Sequence, residues 1–257
     1  MIFVSYSIKS GRWAENMSND YEFVKYKNRG AYHWGNVSHN LFKRNAFVIG
    51  RYRNMMSLLE QNVAGGLRGR TVLDVGCGDG VLSVCLAKKG ALVHGVDNSS
   101  HALEYANSRT ERKCVDVCFE RGSAYSLPYH DESFDAIVSS DVMEHLHDTG
   151  GYLAEIRRVA KKDAVIVIST PIRFTENPLD PMHVFELFPG EFVSVISSLF
   201  DKTEFHYSHP VLWMEIYQRR LLYRMAINAL SYVINPFSQI DPSHRLKALQ
   251  YAVIRNR

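Results

Sequence analysis

The apolar positions of this 257-residue chain change period along its length. Residues 71–75 (TVLDV), 91–96, 114–120, 136–140 and 164–169 are short β-branched or apolar runs, the signature of strands buried on both faces. Between them the apolar residues recur at helical spacing, as in 81–89 and in the stretch that Ser99 caps through Arg109. Strand alternating with helix predicts an α/β fold around a mostly parallel sheet. Upstream, Leu41, Phe42, Phe47, Val48, Tyr52, Met55, Met56 and Leu59 predict one helix over 41–59, broken by Gly65, Gly66 and Gly69. Downstream, a helix is expected over 189–199, a strand over 202–208, a long helix over 213–234 and a last strand over 249–254.

The chemistry concentrates where the first strand ends. Gly76-Cys77-Gly78-Asp79-Gly80 makes a turn, a helix follows, and the next strand runs into Asp97. Strand, glycine turn, helix, strand, acid is the half-unit that holds a nucleoside in doubly wound folds. Glycines let the main chain approach a ligand with no Cβ in the way. The helix N-terminus behind them favours a negative group. A carboxylate at Asp97 can accept from two ribose hydroxyls. The spacing is GxGxG, one residue shorter than the GxGxxG of dinucleotide binders, which leaves less room for a pyrophosphate. Asp74 adds a second acid beside the turn.

DVGCGDG followed by Asp97 resembles motif I of the class I S-adenosylmethionine (SAM)-dependent methyltransferases, and the likeness extends through residues 71–208. The resemblance implies a Rossmann-like, seven-stranded, mostly parallel sheet with helices on both faces and an antiparallel last strand. It implies SAM as cofactor and S-adenosylhomocysteine as product. It places Asp74, Gly76, Cys77, Gly78, Asp79, Gly80, Asp97, Asn98, Ser123, Ala124 and Ser140 at the cofactor. Ser123 stands where the family usually has an aspartate for the adenine amino group. Residues 1–65 would be an N-terminal helical cap, and 66–257 the SAM-binding domain with a helical insertion at 211–236. His33 and Trp34 would line the acceptor pocket. Trp34 with Arg44 or Arg51 also loosely resembles a ubiquinone-type pattern in which an arginine meets the cofactor's carboxylate, although a solvated helical arginine is the expected role for either.

After the fourth strand the chain reads Ser140-Asp141-Val142-Met143-Glu144-His145, without the (D/N)PP(Y/F) of enzymes that methylate nucleic-acid bases or protein amides. It resembles instead the E-x-x-E-H of ubiquinone-type O-methyltransferases and of small-RNA 3′-terminal methyltransferases. In those, two carboxylates and a histidine hold a divalent metal that lowers the pKa of the acceptor's hydroxyl. Asp141 and His145 fall i, i+4 and would share one side of a helical turn with Glu144. His183, in the loop after the fifth strand, would complete a metal set of Asp141, Glu144, His145 and His183. Without a metal, Glu144, His145 and His183 are the candidate catalytic groups, a histidine acting as proton acceptor. The expected function is methyl transfer, most plausibly to oxygen, on a small-molecule, glycan or lipid-linked acceptor. An RNA methyltransferase, an N- or C-methyltransferase and a catalytically inactive SAM-binding partner subunit are the alternatives.

Charge changes this picture in one respect. Lys plus Arg outnumber Asp plus Glu by 11 to 4 in residues 1–70 and 7 to 2 in 211–257, while 71–210 is acidic at 12 to 21. Basic ends suit a phosphate-bearing substrate, an anionic membrane surface or nucleic acid, or they neutralise the acidic centre. No RNA-binding module is recognisable, so nucleic acid is not the expected partner. In 213–234 the polar residues after Leu221 reduce to Arg224, Asn228 and Ser231, so this helix would pack in the core, in a homodimer or at a membrane surface. The four cysteines lack metal or redox spacing and read as reduced thiols of a cytoplasmic protein. The first residues read as neither signal peptide nor membrane span.

Overall fold

A computed structural model describes residues 25–113, 115–176, 178 and 180–256. The amino-terminal part of the expected cap, the leader reading and Cys114 lie outside the described residues. Two short helices, α1 (Lys25–Arg29) and α2 (Tyr32–Asn36), precede α3 (Ala46–Asn62). The helix expected from Leu41 starts five residues later because Asn45 is its N-cap, its side chain accepting from the Phe47 and Val48 N–H groups. Phe42 is consequently left exposed. Then come β1 (Thr71–Val75), α4 (Val81–Ala87), β2 (Leu92–Asp97), α5 (Ser100–Lys113), β3 (Val117–Arg121) and β4 (Phe134–Ser140). A single 3₁₀ turn (Met143–His145) leads to α6 (Thr149–Val159) and β5 (Ala160–Pro171). The chain closes with α7 (Pro189–Ser197), β6 (Thr203–Pro210), α8 (Val211–Arg219), α9 (Leu221–Leu230) and β7 (Lys247–Arg255).

The seven strands form one sheet in the order β3-β2-β1-β4-β5-β7-β6, with β7 antiparallel to both its neighbours and the other pairings parallel. Chain order reverses beside β1, which opens a crevice at the carboxyl ends of β1 and β4, where ligands bind in open α/β sheets. Alternation along each strand divides the core in two. Val72, Val138, Val165, Val167, Tyr251 and Val253 face α3 and α4, while Leu73, Ile137, Ile166, Ile168, Ala252 and Ile254 face α6 and α7. Met55, Leu58 and Leu59 of α3 belong to the first of these clusters. The division expected at residue 65 therefore runs through a continuous apolar core, and α3 is part of the sheet's own packing.

The helix expected over 213–234 is two. Arg220 is extended (φ −148°, ψ 149°), and α8 and α9 fold back on each other. No proline or glycine marks the break. The Tyr217 hydroxyl donates to Asn228 Oδ1 at 2.8 Å, a contact that two residues eleven apart in a straight helix cannot make.

Candidate functional site

The glycine turn is built as a bare wall. Gly76 has φ 70°, and a Cβ there would run into the Val142 side chain. The N–H groups of Gly76 and Cys77 bond to the Val96 carbonyl at 2.8 and 3.0 Å, sealing the turn to β2. Gly78 N–H donates to Asp97 Oδ2 at 2.8 Å, and Ser99 N–H to Oδ1 at 2.9 Å. Of the turn's amides, Gly78 N–H thus holds the acid, while those of Gly76 and Cys77 are taken by the Val96 carbonyl. Burial pushes the Asp97 carboxyl up to about 6 and Asp74, which accepts from Ser83 Oγ, up to about 7. Cys77 is a buried thiol raised well above the usual range by the same desolvation.

A cleft of about 1510 Å³ opens over this wall. Asp74, Gly76, Cys77, Asp97, Asn98, Ser123, Ala124, Ser140, Asp141, Glu144, His145, His183 and His33 from the expected set line it. Asp79, Gly80, Gly78 and Trp34 do not. Asp79 is fully buried beneath α2, accepting from the His33 and Trp34 N–H groups, while the Trp34 indole donates to the Asp79 carbonyl at 2.6 Å. Gly80 caps α4 in the left-handed region against Phe119 and Ala106. Gly78 lies under the Tyr26 hydroxyl. Asp79, Trp34 and Gly78 fasten α1 and α2 onto the turn. Ser123 takes part in its own local turn, its Oγ accepting from Tyr125 N–H at 3.2 Å. His33 sits among Tyr26, Tyr32 and Tyr52, and burial keeps it neutral.

Arg51 is the residue that its charge alone misplaced. It is not solvated but nearly buried in the cleft, ion-paired to Asp141, with its Nε lacking a partner among the described residues. Asp141 also accepts from Ser169 Oγ at 2.8 Å, and takes φ 53° as the chain leaves β4. The following turn is 3₁₀, so Asp141 does not share a helical face with His145, and Arg44 instead bonds Ser231 away from the cleft.

The metal-type cluster is Glu144, His145 and His183, whose ligating atoms all lie within 4.8 Å of one another. Glu144 is fully buried. Thr170 Oγ1 donates to its Oε2 at 3.0 Å, and its Oε1 has no partner among the described residues. Desolvation, with Asp141 nearby, pushes this carboxyl well above the usual range. His145 Nδ1 donates to the Met182 carbonyl at 2.9 Å, and burial lowers its pKa, so it is neutral with its lone pair on Nε2. His183 Nδ1 lies 2.7 Å from Oε1 of the buried Glu186, and the two imidazoles meet edge to face at 4.9 Å. Val184 N–H donates to the Glu144 carbonyl at 2.8 Å, tying the loop to the turn. Glu186, three residues after His183, was readable as its partner from spacing. Thr170, Tyr26, Tyr32 and Tyr52 carry no motif.

A seven-stranded α/β sheet with this strand order, a glycine turn and an acid at the tip of β2 defines a class I SAM-dependent methyltransferase fold. The family model for the methyltransferase domain matches residues 67–209, and the chain belongs to that family. A probable S-adenosylmethionine-dependent methyltransferase of Mycolicibacterium smegmatis is 32% identical over 54% of this chain and 54% of its own. A ubiquinone biosynthesis O-methyltransferase of Actinobacillus pleuropneumoniae is 33% identical over 43% and 49%. The chain thus spans about half the length of the curated relatives it matches. Among solved structures, the YcgJ protein of Bacillus subtilis superposes with a TM-score of 0.56 at 22% identity, covering 79% of this chain and 98% of that one. Phosphoethanolamine N-methyltransferase 2 of Haemonchus contortus, in complex with SAM, gives 0.60 at 19% identity, over 88% and 56%. These two likenesses concern the fold.

The cleft fits SAM on its own observations. An amide-anchored carboxylate stands at its edge, bare backbone forms its wall, and a buried guanidinium with an unsatisfied Nε lies within it. Those groups suit a diol, a nucleoside and a carboxylate respectively.

Proposed function

We propose that the protein is a SAM-dependent methyltransferase acting on a hydroxyl of a small-molecule, glycan or lipid-linked acceptor. The observation that carries this reading is the His183–Glu186 pair placed beside His145 in the same cleft as the glycine turn. Asp97 would hold the ribose, with Gly76, Asn98, Ser123 and Ala124 around the nucleoside and Arg51 toward the carboxylate of the methionyl part. When bound, the cofactor supplies a sulfonium methyl open to in-line displacement by oxygen. His183 is oriented by Glu186 through Nδ1, which leaves Nε2 as the basic nitrogen that takes the acceptor's proton. The Glu186 carboxylate then faces the imidazolium that forms. Neutral His145 packs edge to face on the His183 imidazole and holds its plane toward the cleft, a matter of positioning. The oxygen acceptor named for the ubiquinone-type relatives supports this reading, as does the absent (D/N)PP(Y/F).

The test is transfer of radiolabelled methyl from SAM into cell extract separated into lipid, glycan, small-molecule, RNA and protein fractions, with His145→Ala and His183→Ala in parallel. Label is expected outside RNA and protein. His183→Ala should lose about 10²–10⁴ in rate while still binding SAM. Label in RNA overturns the acceptor class. No label with SAM binding intact makes the chain a SAM-binding partner subunit.

A second reading has its own observation, the clustered ligand atoms of Glu144, His145 and His183 with the orphaned Glu144 Oε1. These suit a divalent cation, which would supply a lowered hydroxyl pKa. Asp141, committed to Arg51 and Ser169, stands outside the set. Titration of the protein with Mn²⁺ or Zn²⁺ by calorimetry, with Glu144→Gln as control, decides it independently of turnover. Activity that is unchanged in EDTA sinks it.

A further inference from the structure

Helix α9 is inside out for a helix that faces water. Asn228 is buried, donating to the Leu41 and Arg44 carbonyls at 2.9 and 2.7 Å and accepting from Ala46 N–H at 3.0 Å. Ser231, just past the helix, is buried as well and accepts from Arg44 Nε at 3.0 Å. Of the polar stripe read in the sequence, Asn228 and Ser231 therefore point inward, onto residues 41–46, while Arg224 stays exposed. At 3.6 residues per turn the opposite side carries Leu222, Ala226, Ala229 and Val233. Leu222 is 75% and Val233 84% exposed, with Leu221, Leu230 and Ile234 exposed beside them. In α8, Leu212 is exposed next to Leu246, whose carbonyl accepts from Val211 N–H. Packing of this face in the core, one of the three expectations, is thus ruled out. A patch of this kind on a folded chain marks an interaction surface.

Charge decides between the two remaining occupants. Residues 216–240 contain no Asp or Glu. Arg219, Arg220 and Arg224 are exposed and form no ion pair among the described residues. A second copy joined through the same patch would bring residues 216–240, which hold no carboxylate, against these arginines, so nothing in that stretch answers them. Lipid phosphates answer them directly. Trp213, Tyr223 and Tyr232, all exposed, are the side chains that settle at a headgroup boundary. No described helix is long and apolar enough to cross a membrane, which leaves contact by lying on one.

We propose that the α8–α9 hairpin docks on an anionic lipid surface, the outer face of α9 lying in the headgroup boundary with Arg219 and Arg220, at the turn between the helices, on lipid phosphates. Met214 of α8 and Ala248 and Leu249 after the hairpin line the cleft, so an acceptor with an apolar tail reaches the site from that surface. The docking itself rests on neither the acceptor's identity nor turnover.

The test is co-sedimentation of the full chain with phosphatidylcholine vesicles, with or without phosphatidylglycerol. Wild-type protein is expected to sediment with the anionic vesicles and weakly with the neutral ones. Arg219→Ala/Arg220→Ala should weaken partition about fivefold per arginine, roughly 25-fold together. Leu222→Glu/Val233→Glu should abolish it. Both variants alter exposed side chains and should keep the wild-type melting temperature and SAM binding. No binding to anionic vesicles, or binding that neither variant changes, overturns the proposal. So does a concentration-dependent dimer broken by Leu222→Glu/Val233→Glu in a protein that ignores vesicles.

Discussion

Asp97→Asn separates what the acid does for the cofactor from what it does for the fold. In the free protein the carboxylate accepts from Gly78 and Ser99 N–H, yet burial raises it from the usual carboxylate range to about 6. The folded chain therefore binds this proton more tightly than the unfolded one. The stability the group contributes is complete below about 4 and is lost as pH rises through about 6. At neutral pH the ion costs on the order of 3 kcal/mol. Asparagine removes that charge and forfeits one of the two amide bonds, about 1 kcal/mol or somewhat more if the N–H is left unpaired. The variant should melt at or above the wild-type temperature. Bound ribose experiences the opposite. Hydrogen bonds to a charged acceptor contribute roughly 1.5–3 kcal/mol each against about 0.5–1.5 for a neutral one. Two hydroxyls then lose on the order of 2–3 kcal/mol, which raises the SAM Kd roughly 30- to 150-fold.

Titration calorimetry with SAM at about pH 7.5, 6 and 5 reads both effects, since protonation at about 6 leaves roughly a tenth of Asp97 ionised at pH 5. Wild-type affinity should fall about tenfold between the first and the last pH, and the variant's should not follow. Asp74 titrates nearby and owes part of its rise to the Asp97 charge, so the same comparison in an Asp74→Asn background isolates Asp97. A variant that binds SAM as tightly as wild type, or that keeps the full pH dependence, refutes the assignment of Asp97 to the ribose.

Gly50→Ala in α3 sets helix propensity against packing. Alanine gains about 1 kcal/mol of propensity, but its Cβ would lie 2.6 Å from Phe237 Cβ and 2.9 Å from that residue's carbonyl carbon. Overpacking of about 1–3 kcal/mol should prevail and lower Tm by a few degrees; an unchanged or higher Tm shows that the loop yields. Glu186→Gln keeps an acceptor for His183 Nδ1 and removes the charge, so kcat should drop about tenfold to a hundredfold with SAM affinity unchanged. A loss confined to KM would reduce Glu186 to shaping the pocket. Asp74, raised by burial to about 7, makes the fold lose stability as pH climbs from about 4 through 7, by at most about 1.4 kcal/mol per unit. Asp74→Asn should flatten that slope in denaturant titrations across the same range, and an unaltered slope would assign it elsewhere.

The parts legible in the sequence are those whose causes are local. Thr71–Val75 is a strand because β-branched residues fill a sheet buried on both faces, and the turn after it needs three glycines at positive φ. Each of these is settled within a few residues, and so are the strand ends at Asp97 and Ser140. What stayed hidden depends on partners far away along the chain. Arg51 has the spacing of the apolar face of α3, three and four residues from Val48, Phe47 and Met55; its charge alone suggested solvent, and the partner that holds it in the cleft, Asp141, is ninety positions on. The stripe of Arg224, Asn228 and Ser231 has the right period for a water-facing edge. The period carries no direction, however, and backbone groups of residues 41–46 turn Asn228 inward, the Arg44 guanidinium does the same for Ser231, and the leucines face out. The i, i+4 argument for Asp141 and His145 failed for a related reason. It assumed an α-helical turn, whereas Arg51 and Ser169 hold Asp141 in a left-handed conformation and a 3₁₀ turn follows. That Asp74, Gly76, Asp97 and Ser140 gather at one cleft was readable, because the glycine turn and the strand ends place them. Orientation was not, because it is the long-range contacts that set it, and at α9 the same inward pull on the polar groups is what leaves an apolar face for a membrane to cover.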